Sequence, residues 1–259
     1  MNENAKGKIE FLIQDNLRAI KSKHPKIALK ADPNILEQDK KKSAEEIALT
    51  LPSLQKHLDE LLPFIQNLRK HIQDITEQTH ICAAYLLLAR ATQDWKSLLS
   101  LAEKGDIGCW SFIRLIKESV ALADLFALES RGDSRKYIEK WFSGQIIGHA
   151  AYREVQTEFM RQDPSNAGID IEAMATELYQ MESLVIHASY STMLESVSPF
   201  TEDFDYTGRT QYSRTSKALG YAHGTMVNMN IVLKSVYLFL IKDSNAYEDL
   251  DKILIKYSR

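Results

Sequence analysis

From residue 110 to about residue 130 the chain carries Phe112, Ile113, Leu115, Ile116, Val120, Leu122, Ala123, Leu125 and Phe126 with no Gly or Pro among them. Spaced on a helix, these side chains cover most of the circumference. A helix that is apolar nearly all round must be enclosed by other elements, so this segment is expected at the centre of the fold. The enclosing elements are expected to be helices too. The 259 residues include only 10 Gly and 6 Pro, too few for the many turns of a sandwich, a barrel or a doubly wound sheet. The predicted fold is an all-α multi-helix bundle.

Helical spacing recurs on both sides of this centre. Ile9, Leu12, Ile13, Leu17 and Ile20 predict a first helix over about 4–22, ended before Pro25. Residues 26–42 are polar and Lys-rich and contain Asp32-Pro33, the composition of a loop or loose arm. Ser43-Ala44-Glu45-Glu46 fits a capping box that opens a short helix. Residues 52–103 read as helix almost throughout, with Pro63 kinking or dividing it. Within 79–101 an apolar stripe runs through Cys82, Ala83, Leu86, Leu87, Ala91, Trp95, Leu98 and Leu99, and 103–106 reads as a turn. After Arg131-Gly132-Asp133 a helix is expected over 134–161, then a loop at 163–168 and a helix over 171–194 stopped by Ser198-Pro199. Residues 200–213 are the least helical and suggest a hairpin or an ordered lid loop. The last helices are expected over 214–242 and 246–256. We divide the chain into an N-terminal helix and Lys-rich arm, 1–50, and a helical bundle domain, 51–259. No fixed-period repeat occurs, which argues against a solenoid.

The net charge of −3 gives no global attraction to nucleic acid or acidic membranes, although a local basic patch stays open. Cys82 and Cys109 lie in apolar helical surroundings without a Cys-x-x-Cys pair and read as reduced core residues of a cytoplasmic protein. The N-terminus lacks an apolar signal core. The most apolar run, 231–241, is interrupted by Lys234 and is too short to span a bilayer, so no membrane partner is expected.

Several chemistries drop out. No dinucleotide, phosphate-loop, nucleophile-elbow or zinc-protease motif is present. A di-iron bundle needs two Glu-x-x-His motifs and further carboxylates, and only Glu77-x-x-His80 occurs. His57, His71 and His80 are spaced too widely for a compact metal cage and read as surface histidines. No metal or cofactor is therefore expected.

Two polar constellations remain. Tyr179, Ser183 and His187 fall four residues apart in an apolar, helix-forming stretch and would share one helix face. Such a ridge is either a satisfied core network or part of a site. A Ser183–His187 hydrolase is disfavoured, because mid-helix N–H groups are already used and cannot form an oxyanion hole. Arg114 and Glu118 form an i, i+4 pair on the central helix: an exposed salt bridge on its one wet edge, a buried brace, or part of a site.

Together the Arg114-x-x-x-Glu118 pattern and the Tyr179-x-x-x-Ser183-x-x-x-His187 pattern, followed by Ser189, resemble a family of uncharacterised bacterial all-helical proteins related to HEPN (higher eukaryotes and prokaryotes nucleotide-binding) domains. The resemblance covers roughly residues 76–198 and implies a HEPN-like core. Many HEPN domains are metal-independent ribonucleases of toxin–antitoxin or anti-phage systems, so it also implies RNA or a nucleotide as partner. The usual Arg-to-His ribonuclease spacing is missing from the core helices. Arg18-x5-His24 matches it only formally, running into a Pro-ended turn. A site assembled from Arg114, Glu118 and His187 would still be adequate, with Arg stabilising phosphorane charge and His moving the proton. Tyr179, Ser183, Arg209 and Arg214 are the candidate ligand-binding residues. Tyr212 stands between the two arginines and could stack on a base, while Asp203 and Asp205 nearby suit a merely solvated loop. The competing reading is a non-enzymatic scaffold or regulatory module, oligomeric and in the simplest case homodimeric, with the ridge as a core network. A small anion held in the bundle interior is a third.

Overall fold

The computed structural model describes residues 33–106, 108–148, 151 and 212–258. Its helices are α1 (Pro33–Leu68), α2 (His80–Glu103), α3 (Cys109–Glu129), α4 (Lys136–Phe142), α5 (Tyr212–Val236) and α6 (Ser244–Tyr257). A 3-10 turn, Arg69–His71, follows α1, and a π turn, Tyr237–Ile241, prolongs α5. There is no strand among the described residues, and the all-α multi-helix bundle is what the structure shows.

In α1 the buried side chains Leu54, Leu58, Leu61, Ile65 and Leu68 alternate spacings of four and three, one continuous apolar stripe. That stripe explains two departures from expectation. Helix α1 runs through Pro52 and Pro63 without being divided, because both prolines lie on the exposed face. The carbonyls four residues back, which lose their N–H donors, belong to Ala48 and Asp59, both exposed, where water replaces the donor. The Lys-rich arm is also helical from Pro33 onward, and Ser43 is buried inside α1 rather than capping a new helix. The helix therefore crosses residue 50 unbroken. The expected helix at 4–22 lies outside the described residues.

Residues 72–79 interrupt the helical stretch expected over 52–103. Thr79 then caps α2, its hydroxyl accepting from Cys82 N at 3.3 Å. Helices α2 and α3 are the most extensively packed pair. The turn between them passes through Gly105 at φ 69°, a conformation that favours glycine. Helix α3 is as central as its composition demands. Ile113, Ile116, Val120, Ala123, Leu125 and Phe126 are buried, and α3 packs on both α2 and α5. Cys82 and Cys109 are buried free thiols.

Helices α1, α2, α3 and α5 close a ring, each packing on the next. Contacts fix their directions. Tyr221 packs on Trp110 and Phe239 lies under Arg131, so α5 runs parallel to α3. His57 meets Asn230, and Tyr237 Oη donates to Phe64 O at 2.8 Å, so α5 also runs parallel to α1. Parallel neighbours need a long crossover, which falls within residues 130–211. Ala218–Ile241 is 24 residues long and holds an 18-residue window of mean hydropathy 1.4, long and apolar enough by composition to cross a membrane, whereas the expectation considered 231–241 alone. Its Met226, Met229, Val232, Leu233 and Val236 are buried in this bundle, as in a core helix.

One carboxylate locks the corner where α2 starts and α3 ends. Glu129, with its side chain 3% exposed, accepts from Tyr137 N at 2.7 Å and Ile138 N at 3.1 Å and faces His80 Nε2 at 3.2 Å. It thereby satisfies the open N–H groups at the start of α4. His80 is consequently no surface histidine. We predict that Glu129→Ala, which strands these donors, destabilises the protein by about 3 kcal/mol in thermal or urea unfolding, and that Glu129→Gln costs less.

Candidate functional site

Helix α3 carries the one predicted pair whose two members are both described. Arg114 Nε donates to Glu118 Oε1 at 2.8 Å, the two side chains being 22% and 34% exposed. The pair is neither fully solvated nor a buried brace. It lies at the edge of the central helix, one side on the core and the other facing outward. A partly desolvated Arg–carboxylate contact is stronger than an exposed one, and it holds the guanidinium in a fixed orientation.

Glu118 also lines a cavity of about 350 Å³ with Leu122, Trp141, Gly144, Gln145, Ile146, Ile147 and Gly148. The cavity exists because the helix expected over 134–161 stops at Phe142. Gly144, at φ 76°, donates to Trp141 O, and Gln145 N donates to Lys140 O, the left-handed helix stop that glycine favours. The chain then turns across α3 with Ile146 88% exposed. Trp141 is held edge-on against Phe126 at 5.7 Å, which fixes the cavity wall to the core.

Tyr179, Ser183, His187 and Arg209 lie outside the described residues, as do the helix expected over 171–194 and the irregular segment up to residue 211. Tyr212 and Arg214 fall in the first turn of α5 rather than in a loop, and the Arg214 side chain is outside the described residues. Of the candidate residues, then, Arg114 and Glu118 are seen to meet.

Of two further titratable groups, one was expected at the surface and the other was not singled out from the sequence. His57 is 1% exposed, not a surface residue. Its ring stacks on Tyr257 with centroids 4.0 Å apart and planes within 5°. Nε2 lies 3.4 Å from the Asn230 amide. In the orientation that satisfies both of its ends, that amide donates from nitrogen to Leu250 O at 3.2 Å and accepts at oxygen from Leu254 N at 3.1 Å, so His57 Nε2–H donates to the same oxygen. His57 Nδ1 is buried without a partner. The signal was present: His57 stands three residues after Leu54 and four before Leu61, beside the apolar stripe.

Asp124 is the other. It sits on α3 six residues after Glu118, about 120° further round the helix, and belongs to a different face. Burial pushes its carboxyl up to about 6. Burial likewise pushes the Cys109 thiol up to about 12, so it is no nucleophile at neutral pH. Among the described residues no group of three His, Cys, Asp or Glu side chains is placed to hold a metal ion.

Compared with protein-family models, curated proteins and solved structures, the chain matches none of them.

The raised Asp124 carboxyl has a consequence for stability. Its folded pKa lies above the unfolded value, so its contribution is present at low pH and is lost as pH rises from about 4 to about 6. We predict that Asp124→Asn stabilises the protein at pH 7.5 by on the order of 1–2 kcal/mol and much less at pH 4.5, read from urea unfolding at the two pH values.

Proposed function

We propose that this protein is a HEPN-like helical bundle that binds or processes RNA or a nucleotide, and that Arg114 supplies the phosphate contact. The observation that carries the reading is the Arg114–Glu118 pair at 2.8 Å on the rim of the α3 face, with Glu118 also lining the adjacent cavity. A guanidinium steadied by a neighbouring carboxylate is a pre-oriented donor for a phosphate oxygen. In the proposal Tyr179, Ser183 and His187 complete the site, with His187 as the proton-transfer group, and Arg209 and Arg214 contact the phosphate backbone. A bacterial, cytoplasmic and defence-associated setting is part of the same proposal.

A second reading has its own support. Ile146 is 88% exposed beside the cavity, and Leu115 on α3 is 40% exposed. An exposed apolar side chain such as Ile146 bordering a concave surface suits a protein partner or a second copy of the chain. In that case the chain is a non-enzymatic interaction module and the cavity receives an apolar side chain.

The two readings separate in one set of measurements on the full-length protein. The nucleic-acid reading expects binding or cleavage of a mixed single-stranded RNA pool. Arg114→Ala and His187→Ala should each reduce it at least roughly tenfold with unchanged helical circular dichroism, and Arg114→Lys should lose less. Neither binding nor cleavage by the wild type sinks this reading. The interaction reading expects a dimer or larger species by light scattering that Ile146→Asp converts to monomer, with RNA inert.

A further inference from the structure

Helix α6 is attached to the bundle unlike the helices of the four-helix ring. Among its residues Leu250 and Tyr257 are buried, whereas α2 buries twelve residues and α3 nine. Polar contacts make up the difference. On the α5 side Lys234 pairs with Asp251, its ammonium lies 4.6 Å from the Tyr247 ring centre, and the Asn230 amide spans Leu250 O and Leu254 N. On the α1 side Glu60 accepts from Lys256 and, at 3.0 Å, from Tyr257 Oη, while the His57 ring lies flat on Tyr257.

We propose that α6 is an acid-released latch: protonation of His57 detaches this helix from α1 and α5 while the four-helix ring stays folded. The geometry makes His57 the trigger. Its Nε2–H is already donated to Asn230, so an added proton must go to Nδ1, which is buried with no acceptor. The groups facing the ring are Glu60 on α1, which favours the charge, and His223 on α5 and Lys256 on α6, which oppose it. Burial is the largest influence, and with His223 and Lys256 it lowers the imidazole from 6.5 to about 4. A His held below its solvent value contributes stability that is complete above pH 6.5 and is lost as pH falls toward 4. Released α6 would expose the ring to water, where it takes the proton readily.

Glu60 does not blur this window. Burial raises the Glu60 carboxyl, but hydrogen bonds from Lys256 and Tyr257 outweigh it and hold the group below its ordinary value. Glu60 therefore stays ionised at pH 5. Asp124, on α3, responds in the opposite sense, since its protonation near pH 6 relieves the ring helices. Acid thus loosens α6 while it favours the bundle beneath.

Hydrogen exchange of the full-length protein at pH 7.0 and 5.0, corrected for the intrinsic pH dependence of exchange, tests this. Amides of residues 244–257 should lose roughly tenfold in protection at pH 5.0 while those of α2 and α3 do not. His57→Phe keeps the stack on Tyr257 and cannot take a proton, so its α6 should be equally protected at both pH values. Equal protection of wild-type α6 at the two pH values overturns the latch without recourse to the variant. Loss of protection in His57→Phe as large as in the wild type removes His57 as its trigger. An imidazole resonance that titrates near 6.5 with α6 still protected overturns the proposal as well.

Discussion

The fold depends on the burial of α3. A helix with apolar side chains over most of its surface cannot rest on one neighbour, because a single contact leaves the opposite side in water at a cost of about 25 cal/mol per Å² of apolar area. Helix α2 covers one side through a tight turn. The other side is covered by α5, some eighty residues further along the chain, and α1 closes the ring between α5 and α2. Every other placement in the bundle follows from that enclosure, including the long connection that lets α5 run in the same direction as α3 and α1.

Hydrophobic burial explains why the helices gather but not their register, since apolar contacts are non-directional. Buried polar groups set it. Glu129 ties the start of α4 and the first residue of α2 to the end of α3. Tyr237 ties the end of α5 to Phe64 O and to Asn67. Asn230 reaches across to the backbone of α6. Sliding any of these helices by one turn would strand these donors and acceptors in the core. The same contacts separate a strongly held ring from a lightly held α6, whose fastening includes groups that titrate.

Legibility from sequence followed the range of the interaction. Helices α3, α5 and α6 were expected within a few residues of where they lie, because each carries its own apolar stripe, whereas the start of α2 was not, since residues 52–103 read as nearly continuous helix. The errors have specific causes. Pro63 was expected to kink or divide its helix, and it does not divide α1, because its effect depends on which face it occupies, and that depends on what the helix packs against. Gly144 was passed over inside an apolar stretch, yet it ends α4 and creates the cavity. His57 was assigned to the surface because a histidine among Lys and Asp residues looks solvated until its place beside the stripe is counted.

The candidate site divides in the same way. The sequence by itself determined that the protein is all-helical, that its central helix must be enclosed, and that Arg114 and Glu118 can pair, since four residues bring two side chains together on any helix. The tertiary structure alone decided that α5 lies parallel to α1 and α3, that the pair sits half-buried with Glu118 on a cavity, and that His57, Asn230 and Tyr257 from three helices meet. Spacing within one helix is written in the local chain. Meetings between helices depend on which faces win the competition for burial, and that is settled only when the whole bundle packs.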